Sequence, residues 1–168
     1  MQAQLDPLYL GIDFGTTNTV ISMCDDTGVT RTLQYPSSQG ALSTFRSILC
    51  YVSDESDNLG PRTRVYCGPA AIEAFLRHSE DARLIQSIKT FLSSRSFSKS
   101  TIHGRDYTLE QLIADFLRGL VRAGQWPEAR IDFSRAITVG RPVKFAGGDG
   151  ASGDTLAETR LRTAFAAA

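Results

Sequence analysis

No cysteine pair, no long apolar run and no net charge mark this 168-residue sequence, and each absence removes a class of protein. Its three cysteines, Cys24, Cys50 and Cys67, are odd in number, widely spaced and without a C-x-x-C. A disulfide framework or zinc site needs more sulfur at closer spacing. Cys24 and Cys50 instead lie inside apolar runs, "VISMC" and "SILCYV", as small buried hydrophobes do in a reducing compartment. Eighteen Lys and Arg balance eighteen Asp and Glu, so no bulk field draws the chain to nucleic acid or an anionic membrane. No apolar stretch approaches the roughly 18 residues of a spanning helix. The opening "MQAQLDPLYL" lacks the basic and apolar regions of a signal peptide, so a cytoplasmic location is expected. His78 and His103 are isolated, without metal-ligand spacing, and are expected at the solvated surface. What remains is about one globular domain's worth of ordinary composition.

Apolar patterning predicts strands over residues 8–14 and Thr19–Asp25. A turn at Asp25–Gly28 and an alternating "VTRTLQY" complete an antiparallel three-strand meander. Further strands are expected from Ser47 ("SILCYVSD") and Val65 ("VYCG"), separated by a polar loop. Pro69 suits the first turn of a helix that places Ile72, Phe75 and Leu76 on one face. Ser93–Thr101 reads as an exposed, Ser-rich segment, and "IHGRDY" as a hairpin turn. Thr108 and Gln111 form a capping box, with Tyr107 and Leu112 placed as a hydrophobic staple. From Leu109 to Val121 apolar residues then repeat at helical spacing, and Gly124 is the expected C-cap. Ser134–Gly140 predicts another buried strand. A last helix is expected from a Thr155–Glu158 capping box, with Ala157, Leu161, Ala164, Phe165 and Ala168 on one face. It stops bluntly on "FAAA", as if interrupted.

The chemistry concentrates in "LGIDFGTTNTVISM", residues 10–23. A phosphate needs backbone N–H donors on a surface it can approach closely, and small residues at a tight turn supply them. Gly15, Thr16, Thr17 and Asn18 lie where two predicted strands meet. Asp13, just before them, would repel phosphate unless a cation intervened, which suggests Mg²⁺ held directly or through water. The same residues would equally serve an exposed polar hairpin with Asp13 as a turn former.

"GIDFGTTNT" resembles the first phosphate motif of the actin, sugar-kinase and heat-shock ATPase superfamily, in the form nearest the 70-kDa heat-shock (DnaK-type) chaperones. The similarity continues in register. "VYCGPAAIEAFL" is similar to the family's G-x-x-A strand-to-helix segment, "SIKTFL" lies where it has K-R-x-x-G, and "YTLEQLIADFLRGL" resembles its F-T-P-E-E-I helix. "AITVGRPVKF" resembles the strand A-V-I-T-V-P-A-Y-F. "TFRSILCYVSD" lacks the family's usual proline, "VGRPVKF" inserts Gly140-Arg141 before one, and the Ser93–Tyr107 region is short. These departures point to a divergent bacterial heat-shock-like branch.

The resemblance implies an α/β, ribonuclease H-like (actin-like) ATPase fold: a mixed sheet opening with the meander, flanking helices and a small subdomain inserted over about residues 36–134. It implies ATP or ADP with Mg²⁺ as cofactors. Gly15, Thr16, Thr17 and Asn18 would hold the β- and γ-phosphates, Asp13 would order the Mg²⁺ water shell, and Lys89 would reach the γ-phosphate and attacking water. Pro142 would signal the nucleotide state. On the residues alone Lys89 would be a surface lysine. The second phosphate motif, the adenosine-binding glycines and the peptide-binding domain of that family have no counterpart in residues 1–168. The expectation is therefore one lobe of a larger ATPase, inactive by itself, with unfolded clients and co-chaperones as partners of the parent. An uncovered apolar face on the last helix, and the sheet edge near Gly140, would make this lobe self-associate. A sugar-kinase-like or actin-like parent is the alternative. "GDGASG" (148–153) satisfies G-x-G-x-x-G, but it does not directly follow a strand and is expected to be a surface loop.

Overall fold

A computed structural model describes residues 9–37, 40–54, 62–127, 137–142, 145 and 151–168. The described residues form a mixed α/β structure with parallel and antiparallel pairing. Strand β1 (Tyr9–Phe14) turns directly into β2 (Asn18–Cys24), and β3 (Thr30–Thr32) continues the antiparallel meander. The turn into β3 is fixed by Asp25, whose carboxylate accepts from Thr27 and Val29, and these bonds hold its carboxyl below the usual range. The two-residue β4 (Phe45–Arg46), not foreseen from sequence, pairs with the start of β2.

A second sheet has β5 (Ile48–Asp54) at its centre, flanked by β6 (Arg62–Cys67) and β7 (Ala82–Gln86), both antiparallel. The β5 segment is apolar in succession because both its faces are covered. Leu49 and Tyr51 enter the main core, while Cys50 and Val52 meet helix α1 (Pro69–Arg77). Ile72 and Leu76 do not pack as their spacing predicts. Leu76 is 76% exposed, and the helix buries Ala71 and Ala74 instead. Small residues let the helix lie close to the sheet, with Phe75 partly buried beside them and Ile72 and Leu76 turned outward. At its start Gly68 has φ +62°, and a Cβ there would lie 2.3 Å from the Phe45 ring.

After β7 come a 3-10 turn (Ile88–Phe91) and a hairpin of β8 (Ser100–Ile102) and β9 (Arg105–Tyr107). Between them Ser93 is buried, against the expectation of a wholly exposed segment. Helix α2 (Leu109–Ala123) begins with the expected capping box and buries Leu109, Leu112, Ile113, Phe116, Leu117 and Leu120. Each fully buried side chain of this kind contributes about 1.5–3 kcal/mol, so α2 is the main prop of the core. Phe116 packs on two strands of the first sheet, with its ring centroid 5.7 Å from that of Phe14 on β1 and 5.9 Å from that of Phe45 on β4.

Strand β10 (Thr138–Gly140) pairs parallel to β1, and Thr138 and Gly140 are exposed, so this is an edge rather than a buried strand. Residues 134–136 of the predicted strand lie outside the described residues, as do residues 148–150 of the glycine-rich stretch. Helix α3 (Ala151–Ala167) begins before the predicted Thr155–Glu158 box, so Gly153 lies in a helix rather than a loop. Asp154, in its first turn, accepts from the Phe145 amide at 3.0 Å, a tertiary tie that local capping could not reveal. Ala157, Leu161 and Ala164 pack into the core, with Phe165 partly buried against it and Ala168 exposed. The face expected to be uncovered is thus filled within the chain, and Arg118 caps its end by donating to the Ala167 carbonyl at 2.6 Å. Among the described residues no helix is long and apolar enough to cross a membrane.

Candidate functional site

The β1–β2 turn is held open to solvent above and pinned from beneath. Leu10, Ile12 and Phe14 alternate into the core, which leaves Asp13 on the solvent face, and Thr16, Thr17 and Asn18 are exposed. Gly15 is required by closeness rather than by φ: a Cβ there would lie 2.1 Å from the Asn18 carbonyl oxygen. Ser47 holds the turn from below. Its amide donates to the Thr17 carbonyl at 2.9 Å, and its hydroxyl to the Gly15 carbonyl at 2.8 Å. The buried Thr19 hydroxyl meets the same Ser47 oxygen at 2.9 Å.

This arrangement gives the turn a polarity. Two carbonyls point inward to Ser47, and among the described residues the amides of Gly15, Thr16 and Thr17 donate to no protein group. Adjacent amide donors left open at a tight turn form an anion-binding nest.

Lys89 arrives from 75 residues away. The 3-10 turn after β7 directs its Nζ onto the Phe14 carbonyl at the end of β1, 5.8 Å from the Phe14 ring centroid. Burial lowers the Lys89 pKa from its ordinary value, and the carboxylate of Asp13 partly offsets that shift. Asp13 lies level with Gly140 in the parallel β1–β10 ladder, where the missing side chain leaves the carboxylate uncovered. The ladder ends at Gly140. Pro142 follows two residues later and is half-buried. Arg141 pairs instead with Glu158 of α3 at 3.0 Å.

Asp13, Gly15, Thr16, Thr17, Asn18 and Lys89 are therefore gathered at one end of β1, and Pro142 lies two residues beyond the end of the β10 ladder. Sequence reasoning missed Ser47, whose only local signal was a serine where an apolar strand begins. It also missed Arg160 of α3. That guanidinium donates to the carbonyls of Phe91 at 3.0 Å, Leu92 at 3.2 Å, Ser94 at 2.9 Å and Phe97 at 2.9 Å, and pairs with Glu110 at 3.3 Å. These contacts anchor the segment that follows Lys89.

The residues fit Mg²⁺ and phosphate in kind: an exposed carboxylate with an open flank, unpaired amides and a partly desolvated cation. Among the described residues no three His, Cys, Asp or Glu side chains cluster as a protein-only metal cage. Mg²⁺ commonly takes one or two carboxylates and completes its shell with water and substrate phosphate. Compared with known proteins, the chain matches no family model and no curated protein.

Proposed function

We propose that this chain is the phosphate-binding lobe of a Mg-ATP-dependent protein of the 70-kDa heat-shock type, built on an actin-like ATPase fold. The observation that carries this is the β1–β2 turn, with its amides open and Lys89 delivered to its rim from the 3-10 turn that follows β7. The amides of Gly15, Thr16 and Thr17, with the side chains of Thr16, Thr17 and Asn18, would hold phosphate oxygens. Asp13 would hold Mg²⁺, directly or through water, and the metal would neutralise charge on the phosphates. Lys89 would balance charge on a transferred phosphoryl group, the main electrostatic task in such chemistry. Its depressed pKa reflects a desolvated position, where a cation–phosphate contact is stronger than in water.

The insertion built on β5–β7, which supplies Lys89, favours a heat-shock-like parent over a sugar kinase. In that arrangement a second lobe of the parent supplies the adenosine site, and chaperone clients and co-chaperones bind elsewhere on it. The test is calorimetric titration of Mg-ATP, Mg-tripolyphosphate and adenosine into the 168-residue chain. Binding is expected to follow the phosphates, with adenosine silent, Lys89→Ala weakening it and Asp13→Ala removing its dependence on Mg²⁺. Equal binding of adenosine, or affinities unchanged by both substitutions, would refute it.

A further inference from the structure

We infer that Arg46 is a second cationic phosphate contact, which makes the turn selective for a chain of phosphates over a single one. The inference rests on the phosphate-binding reading above and adds to it a residue, on β4, that no motif singled out.

Register places Arg46 there. In the antiparallel β2–β4 pairing Asn18 stands opposite Arg46, and Thr19 opposite Phe45. Thr19 and Phe45 are buried while Asn18 and Arg46 are exposed, so the latter two share the solvent face of the sheet with Asp13. Directly opposed residues have Cβ atoms about 4.5–5.5 Å apart, so the Arg46 side chain rises beside Asn18, the residue that follows the nest. Its backbone is fixed relative to the nest, because the next residue is Ser47, bonded to the Thr17 and Gly15 carbonyls. Among the described residues Arg46 makes no ion pair. Lys89 meets the turn from the β1 side, at Phe14, and Arg46 from the β2 side, at Asn18. One phosphate in the nest needs only one of these cations. Two or three linked phosphates spread their charge across the turn and engage both, and a guanidinium fork suits phosphate oxygens.

An exposed arginine beside a sheet edge also serves to discourage strand pairing, and the test separates the two roles. Inorganic phosphate, pyrophosphate and tripolyphosphate, each with Mg²⁺, would be titrated into the wild-type chain and into Arg46→Ala, Arg46→Lys and Arg31→Ala. Arg31 is an exposed arginine of the same sheet, paired to β2 at Met23, away from the turn. It controls for the loss of one charge. Circular dichroism would check that each variant is folded.

Arg46→Ala is expected to weaken tripolyphosphate binding about 5- to 10-fold and phosphate binding less than about 2-fold, as loss of one charge-assisted contact implies. Arg46→Lys should recover part of the loss, and Arg31→Ala should change little. If Arg46→Ala and Arg31→Ala have the same effect while the wild-type chain still binds the anions, Arg46 is an edge charge only and the nest stands without it. If the wild-type chain binds none of the three anions, both proposals fall together.

Discussion

Replacing Ser47 by alanine would remove the support beneath the proposed nest. The Ser47 hydroxyl donates its one proton to the Gly15 carbonyl, so the Thr19 hydroxyl must donate to Ser47. Thr19 is fully buried and Ser47 almost so, and water cannot replace the lost oxygen. Ser47→Ala thus deletes the bond to Gly15 and leaves the Thr19 hydroxyl unsatisfied. About 1 kcal/mol for the first and about 1–3 kcal/mol for the second give a destabilisation of about 2–4 kcal/mol. For a chain of this size that is a fall in Tm of roughly 5–15 °C. Thr19→Val alone should cost about 1 kcal/mol, because it removes one bond without stranding a buried donor. In the Ser47→Ala background the same change should instead restore stability, since it deletes the orphaned hydroxyl while keeping its shape. Urea unfolding followed by circular dichroism, at constant m, measures all three variants. A double variant less stable than Ser47→Ala by the full cost of Thr19→Val would mean the two hydroxyls act independently, and the buried bridge would be refuted.

Two further substitutions probe close approaches elsewhere. Gly68→Ala should lose about 1–3 kcal/mol to backbone strain at φ +62° and a further ~1–3 kcal/mol to collision with Phe45. Gly28→Ala, at φ +83° but with no atom within 4 Å, should lose only the strain; equal losses in chemical denaturation would show that Phe45 yields freely. Cys67 tests the α2–β6 contact through pH. Burial, reinforced by Asp115, pushes its thiol up from an ordinary 9.0 to about 12. The folded chain therefore keeps a proton that the unfolded chain releases above pH 9, and this contribution to stability is full below pH 9 and lost as pH rises toward 12. The stability gap between wild type and Cys67→Ala should shrink across that window, and a constant gap would mean that the thiol titrates normally.

The features legible in the sequence are those fixed by neighbours along the chain. The α2 capping box is one, with the Thr108 amide donating to Gln111 at 2.9 Å and the Gln111 amide to Thr108 at 3.3 Å. The β1–β2 turn is another, because strand alternation and a Gly-Thr-Thr-Asn run are both local. Where distant groups decide, the pattern misleads or falls silent. β7 reads "ARLIQ", and Arg83 and Gln86 interrupt its apolar pattern, which conceals a strand that pairs with the long apolar β5. Leu76 sits at core spacing, yet the close approach of Ala71 and Ala74 to the sheet leaves it exposed. Lys89 carries no local sign of its position, and only the resemblance of the surrounding segments placed it at the turn.

The candidate site draws on separated segments of the chain, each held by contacts to its neighbours and to the core. The turn rests on Ser47, Asp13 stands on a strand whose alternate residues are buried, and Lys89 follows from a 3-10 turn. The carbonyls at the end of such a turn have no partners within it and need donors from elsewhere. Arg160 supplies them to Phe91 and Leu92, while its Nε is held by Glu110 in the first turn of α2. Arg160 is only 14% exposed, so this clamp competes little with water. Its effect is to join α3, α2 and the segment that follows Lys89. Donors fixed before a ligand arrives cost no reorganisation when charge develops among them, which is the property a phosphate-handling site requires. Two non-local contacts, Ser47 to Gly15 and Arg160 to the carbonyls after Lys89, thus hold in place the two features on which the proposed phosphate site depends.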